Sequence, residues 1–518
     1  MLVQEILTKL GIVGETEKST TFVSLNREIF TIVCSRLSNE FTLRMAVLYA
    51  TDNRQSNHSF GLHAVFSLDE TGEWLQISTA LPESDPTYES LTKTIMSAHW
   101  YERYAMDMFG IVAIGHPDPR RLVHHENIPL NTFPLRKDFA WNTKLKHANT
   151  IYPMHHVTGA EGIYEIPVGP IHAGIIEPGH FRFNVIGERI ITLEGKLFFT
   201  HKGIEKILEN KSPIEALPFI EKISGDMAIS HTLAFSQAIE SISDIKISPR
   251  ARQLRTLLNE IERITMHIFD ISNICGMGTG FTVIASQGFK IKERLMRLSQ
   301  EVCGNRFWRG LIIPGGLSQD LSSTELDNIQ MTINKANDDL QNLIKICHDN
   351  DGLRERLETT GILKKEAALA YGAVGLTARA SGIDIDVRRD HPYASYAELK
   401  PKIIMLEIGD VYSRFKMRYR ELKVSTAMIN QIIKTIKKDN ISSTNKNNDG
   451  LGISAVESCR GEIITIVQIK NGVIERCVVR DPSFCNWPLF GEIGPGNIVP
   501  DFPLCNKSLN LSYSGNDM

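Results

Sequence analysis

Apolar residues change their spacing along the chain, and each change predicts a different kind of element. In TFVSLN (21–26) and LHAVFSL (62–68) the pattern suits strands, and Asp69 to Gly72 supplies a turn between strands. A helix is expected over Leu91 to Tyr104, followed by a Gly- and Pro-bearing run from Gly110 to Pro119. Asp138 to Tyr152 is polar and weakly periodic, as a linker would be. Short strands with Gly-rich turns return in IYEIPVGPI and FRFNVIGERIITLEGKLFFTHKG, a β-hairpin layer. Helical periodicity then takes over: Leu254, Leu257, Leu258, Ile261, Ile264 and Ile268 recur at three- and four-residue spacing on one face. Similar faces at 233–242, 286–303, 325–346 and 403–436 predict long, mutually packed helices. KKDNISSTNKNNDG (437–450) has almost no apolar residue and reads as a mobile surface loop, and GEIITIVQIKNGVIERCVVRD after it as a β-rich tail. No internal repeat interrupts this order. The expected architecture is an α+β N-terminal domain (1–140), a linker (141–160) and a mainly α domain (161–518), a helical bundle with small β-hairpin layers.

Composition narrows the function. The chain has 518 residues, 42% hydrophobic and 23% charged, with ample material for large cores. A net charge of -3, without any stripe of Lys and Arg interleaved with aromatics, gives no reason to expect nucleic acid. Glu5 interrupts the opening apolar run, so a signal-peptide core is missing, and no apolar run approaches the ~18 residues of a membrane span. The eight cysteines form no C-x-x-C pair and read as free thiols of a reducing cytoplasm. No G-x-G-x-x-G follows a strand, so no NADH site is expected in this chain.

AHWYERYAMDMFGIVAIGHPDPRRL (98–122) carries Trp100, Glu102, Arg103, Asp107, Phe109, Gly110, His116, Pro117, Asp118, Arg120 and Arg121. It resembles the signature of the roughly thirty-kilodalton subunit of respiratory NADH:quinone oxidoreductase, complex I. That resemblance implies docking, with these charges in a structural ion-pair network. From about Ile163 onward the chain resembles the partner forty-nine-kilodalton subunit of complex I and the large subunit of membrane-bound nickel–iron hydrogenases. The stretches that carry this are VGPIHAGIIEPGHFRF (168–183), FTHKGIEK (199–206), LNEIERITMH (258–267), GNRFWRGLIIPGG (304–316), AVGLTARASGIDIDVRRDHPY (373–393), GDVYSRFKMRYREL (409–422) and VVRDPSF (478–484). The fusion of both parts in one chain resembles the formate-hydrogenlyase type of hydrogenase.

A nickel–iron centre needs four cysteine thiolates, since soft sulfur holds a soft, redox-active metal. In the hydrogenases they arrive as two C-x-x-C pairs. The frame of the early pair reads KISGDMAISH (222–231) here, retaining Gly225 and His231 but placing Ser224 and Met227 at the cysteine positions. The late frame falls on NLSYSGND, with Ser512 and Gly515 in the cysteine places. DPSFCNW (481–487) imitates the late motif but lies about thirty residues too early and belongs to the preceding strand. The resemblance therefore implies no nickel–iron centre and no cofactor bound by this chain. The sequence stops three residues after Gly515, so no tail is expected for a maturation protease to remove.

The homologous cavity of complex I binds a quinone headgroup between a histidine and a tyrosine. His172 matches the first histidine of the loop, but the quinone-contacting histidine position falls on Ile176 and the tyrosine position on Gly225. Glu177 matches the glutamate that relays protons in the hydrogenases, and with Asp226 and His231 it forms the expected relay. The alternatives are that Glu177 caps a turn or pairs with an arginine, and that Asp226 is only a helix N-cap. His172, His180, Arg379 and Asp384 are expected to line the same region as binding residues. Arg379, Arg388 and Arg389 could equally brace a partner interface or form ion pairs within the bundle. The implied partners are an iron–sulfur small subunit with a [4Fe–4S] cluster, a ferredoxin-like subunit and membrane-arm subunits, with quinone as a further candidate. The implied place is the cytoplasmic face of the cell membrane. Three functions remain open: a component that couples electron transfer to proton or ion translocation, a quinone reductase with altered headgroup contacts, and a scaffold supporting ion or bicarbonate transport.

Overall fold

In a computed structural model, residues 2–154, 161–173, 176–243, 245–443 and 448–518 are described. A five-stranded sheet opens the chain, in the order Glu15–Glu17, Thr20–Leu25, Glu73–Pro82, Ser59–Leu68, Arg44–Asp52. The strands TFVSLN and LHAVFSL both lie in it, and all its pairings are antiparallel except Thr20–Leu25 with Glu73–Pro82. The helix expected over Leu91–Tyr104 is displaced: a short 3-10 turn at Met96–Ala98 leads into His99–Phe109. Buried Glu102 draws the preceding chain into a loop instead, accepting the N–H of Leu91 and the hydroxyls of Tyr88, Ser90 and Thr92.

Asp138 to Tyr152 forms no helix or strand; residues 155–160 of the expected linker lie outside the described residues. The hairpin layer is a three-stranded antiparallel sheet of Arg189–Lys196, His180–Ile186 and Ile163–Val168. The bundle helices are Ala228–Ser243, Pro249–Asn273, Thr282–Cys303, Ser323–His348 and Val411–Thr435. Leu254, Leu257, Leu258, Ile261, Ile264 and Ile268 are all completely buried, as one apolar face requires. The last helix begins eight residues later than the 403–436 pattern suggests. Gly409 turns left-handed at φ +73° and Asp410 caps the helix by accepting the N–H of Ser413.

The expected β-rich tail is a three-stranded antiparallel meander, because Gly450–Glu457 pairs in front of Glu462–Lys470 and Val473–Arg480. The expected mobile loop 437–450 falls partly on residues 444–447, outside the described residues. Gly375, at φ +65°, has room for no side chain, since a Cβ would meet the Gly461 Cα at 2.2 Å. That close approach fixes the strand-connecting loop that carries Arg460.

Candidate functional site at the former metal positions

The early and late frames, nearly 290 residues apart, meet in the interior. The Ser224 and Ser512 hydroxyls hydrogen-bond each other at 3.0 Å. Ser224, Met227 and Ser512 are buried, and Gly515 is buried one helical turn beyond Ser512. Ser512 caps the short helix Tyr513–Asp517, accepting the Gly515 N–H at 2.9 Å. The tail is held in place by Trp487 Nε1, which donates to the Ser512 carbonyl, and by the Asp517 carboxyl, which accepts the N–H groups of Phe198 and Thr200.

The space a fourth ligand would take is occupied. A Cβ built on Gly515 lies 2.4 Å from Asp481 Oδ2. The same oxygen is 3.0 Å from His231 Nε2, in a pair that is essentially unexposed. Burial pushes the Asp481 carboxyl up, but the His231 contact prevails and holds it below the usual carboxylate range. Two hydroxyls bonded to each other, one thioether and a glycine do not fit a nickel–iron centre. Among the described residues no group of three or more His, Cys, Asp or Glu side chains could hold a metal ion.

The candidate relay residues divide. His231 is buried and pairs with Asp481. Asp226 does not cap the helix Ala228–Ser243; the N–H groups of Ile229 and Ser230 go to Glu262 instead. Asp226 pairs with the buried Arg460 at 2.8 Å, and Arg460 also lies 3.8 Å from Asp270. Burial pushes the Glu262 carboxyl up to about 7, against the hydrogen bonds that Ser230 and the helix N–H groups give it. Glu177 is exposed rather than buried, and accepts the Ser514 N–H at 2.9 Å. It caps the turn that carries two of the former ligand positions.

The expected binding residues divide as well. His172 Nε2 lies 3.5 Å from the Tyr513 hydroxyl, and burial lowers its pKa, with the Lys507 charge adding to that. His180 is 3.3 Å from the Gly169 carbonyl, a contact within its own hairpin loop. Arg379 is not at this site. It is buried among Glu421 at 2.8 Å, Glu457 at 2.7 Å and Asp386 at 3.1 Å. Arg388 joins that network through Asp386 at 2.7 Å, so both arginines brace the bundle. Asp384 is exposed and paired with Arg389 at 2.6 Å.

Sequence reasoning missed Asp481, Glu262, Arg460 and Tyr513. Asp481 sits in the stretch that imitates the late motif. Its Asp-Pro step is a usable sign of a helix start, and Asp481 does cap Pro482–Asn486. The signature of 98–122 behaves as a structural network: Arg103 and Arg120 hold Asp118 at 3.3 and 2.6 Å, and Asp107 accepts three successive backbone N–H groups.

Three family profiles match the chain in succession. Residues 23–144 match the respiratory-chain NADH dehydrogenase 30 Kd subunit, 202–277 the nickel-dependent hydrogenases, and 278–450 the respiratory-chain NADH dehydrogenase 49 Kd subunit. The chain therefore joins a complex I 30 kDa-type match and a 49 kDa-type match in one polypeptide, with a match to the nickel-dependent hydrogenases between them. It is 29% identical over 487 residues to formate hydrogenlyase subunit 5 of Escherichia coli, covering 91% of this chain and 84% of that one. It is 28% identical to hydrogenase-4 component G of the same organism, over 91% of this chain and 83% of that one. An NADH-quinone oxidoreductase subunit of Phocaeicola vulgatus is 28% identical, over 78% and 82% of the two chains. A chain from the membrane-bound sulfane sulfur reductase, an archaeal respiratory membrane complex, shares the fold with a TM-score of 0.66 at 24% identity, covering 69% of this chain and 99% of that one. These relatives are peripheral subunits of complex I-like and hydrogenase-related membrane complexes. No described helix of this chain is long and apolar enough to cross a membrane.

Proposed function

We propose that this chain is a peripheral subunit of a complex I-like, hydrogenase-related membrane oxidoreductase that works without a nickel–iron centre. Its role is to couple electron transfer in an iron–sulfur partner, bearing a [4Fe–4S] cluster, to proton or ion translocation by membrane-arm subunits. A ferredoxin-like subunit would complete the electron path, at the cytoplasmic face of the membrane. The observation that carries this reading is the Ser224–Ser512 hydrogen bond, with Asp481 in the space of the missing ligand at Gly515. The Asp481–His231 pair and Glu262 then hold and move protons where the hydrogenases hold metal. Purification of the intact complex with metal analysis tests the reading. Iron with no nickel is the expected result, and one equivalent of nickel per chain would overturn it.

A second reading, quinone reduction with altered headgroup contacts, is favoured by the His172–Tyr513 pair at 3.5 Å. A histidine and a tyrosine can both donate to quinone carbonyls, but this pair comes from other positions than those used in complex I. Quinone-dependent turnover lost in Tyr513→Phe would favour it over the first.

A further inference from the structure

A second set of buried charges, away from the former metal positions, does not balance. Arg263, Arg379 and Arg388 are joined to Glu260, Glu421, Glu457 and Asp386 by contacts of 3.4 Å or less, and every one of these side chains is at most 2% exposed. They converge from the helices Pro249–Asn273, Gly375–Ala380 and Val411–Thr435, from the start of Val387–Asp390 and from the strand Gly450–Glu457. The adjacent charges are already matched. Arg44 and Arg480 pair with Asp69 and Glu462, Arg418 with Asp270, and Asp390 with Arg389. Among the described residues, three guanidiniums thus face four carboxyls in the interior. One negative charge would be left there without a partner, at high cost, unless one group in the network carries a proton.

The hydrogen bonds say which group that is. Glu260 accepts from Arg263, Arg388, Tyr396 and Ser425. Asp386 is gripped by Arg388 at 2.9 and 2.7 Å, and Glu421 lies between Arg379 and His267, both at 2.8 Å. Glu457 is the least supplied. Its Oε1 receives Arg379 at 2.7 Å, but its Oε2 has only the Val387 N–H at 3.3 Å. His267 is the other possible holder, yet its Nδ1 has no partner among the described residues, so a second N–H there would be an orphaned buried donor. Burial also pushes the Glu457 carboxyl up, with Asp386 adding to this and Arg379, Arg263 and Arg388 opposing it.

We infer that Glu457 is a proton-holding residue, carrying one proton on Oε2 and exchanging it with solvent between the N-terminal sheet and the bundle. A cavity of about 10 Å3, the size of one water site, is lined by Glu457 and Asp386 together with Arg44, Asp69, His391 and Glu462. The Ser67 hydroxyl joins His391 Nε2 at 2.7 Å to Asp69 at 2.5 Å, and Asp69 is 27% exposed. The proton leaves Oε2 for a water in that cavity and passes on through His391 and Asp69, leaving Glu457 a carboxylate. This deepens the proposed function by naming where a proton is held, and the charge count stands without that reading.

The test is infrared difference spectroscopy of the full chain, with the subunits that purify with it, as pH is raised through neutrality. The parent should show the carbonyl band of a protonated carboxyl that fades with rising pH, and Glu457→Gln should lack that contribution. Glu262 gives a similar band, and the difference between parent and variant removes it. Should Glu457→Gln fail to fold, Glu457→Asp carries the assignment, since it keeps the carboxyl on a shorter arm and should shift the band. His391→Phe keeps the stacking on Trp74, where the rings lie 4.1 Å apart, but removes the proton carrier. It should retain the band while slowing its change after a pH jump at least tenfold. Spectra unchanged in the folded Glu457 variants, or an unchanged exchange rate in His391→Phe, would overturn the inference. The nickel analysis is independent, so a nickel-free complex whose spectra ignore Glu457 sinks this inference and leaves the proposed function standing.

Discussion

Asp481 shows how one side chain can decide what a site accepts. One of its oxygens caps a helix, and the other fills the space beside Gly515 while pairing with His231. Gly515→Cys would restore a thiol at a former ligand position but drive its Cβ into that carboxylate. Overpacking of this kind costs about 1–3 kcal/mol. The variant should unfold at lower denaturant concentration and bind no nickel, and Asp481→Gly in the same chain should recover part of the loss. His231→Leu should cost more, about 3–5 kcal/mol, because it leaves a buried carboxylate uncompensated. Parallel denaturation curves for the three variants and the parent check both expectations, and a fully stable Gly515→Cys would contradict the packing argument. The replacements at Ser224 and Ser512 were legible because motif spacing aligns them. The role of Asp481 was not, since an Asp-Pro step looks the same whether or not its second oxygen reaches a histidine 250 residues away.

At the scale of elements, Glu262 matters because it serves two helices. It sits on Pro249–Asn273 and closes the N-terminus of Ala228–Ser243 through the N–H groups of Ile229 and Ser230. Burial raises its carboxyl to about 7, against about 4.3 in an unfolded chain. Between those values the folded state binds more protons, so its contribution to stability is full below about 4.3 and falls until about 7. At 1.36 kcal/mol per unit the loss is roughly 4 kcal/mol. Half-buried His63, lowered to about 4, and buried His124, lowered to about 3, work in the opposite direction, gaining stability as pH rises towards 6.5. The difference between the parent and Glu262→Gln, measured by denaturation from pH 4.5 to 7.5, isolates the carboxyl. The parent should lose stability relative to the variant as pH rises, and a flat difference would contradict a raised Glu262. The helices themselves were legible from their apolar faces, because burial on one side leaves a strong 3.6-residue signal. Their starts were not, since Glu102 and the Gly409–Asp410 cap override the periodicity at Leu91 and at Ile403 through tertiary contacts. The strand Gly450–Glu457 escaped notice because its glycines and serine dilute the alternation.

At the scale of the whole molecule, the division into 1–140 and 161–518 describes the sequence better than it describes the packing. Tyr101 and Tyr104 of the signature helix lie with their rings against Phe484 at 4.9 and 6.3 Å, and one buried cluster runs from Val3 to Tyr513. Charged and polar pairs cross the same seam. Arg44 reaches Glu462 at 2.7 Å, Lys137 reaches Glu209 at 3.1 Å, and the Tyr104 hydroxyl donates to Glu205, which also pairs with Arg476. Removing residues 1–160 would expose the aromatic surface around Phe484 and leave Glu462 and Glu205 each with one partner fewer. The two sides are not equivalent: the first 140 residues hold a complete sheet whose buried strands pack against their own helices, whereas the bundle side borrows part of its core. A 161–518 fragment should therefore be recovered insoluble, or as a species that binds hydrophobic dyes and melts without a sharp transition. A 1–154 fragment should keep a cooperative transition of its own. Expression of both, followed by calorimetry, tests this asymmetry. A monodisperse 161–518 fragment melting within a few degrees of the full chain would mean that the seam is an ordinary docking surface, and that the fusion joins two bodies able to stand apart.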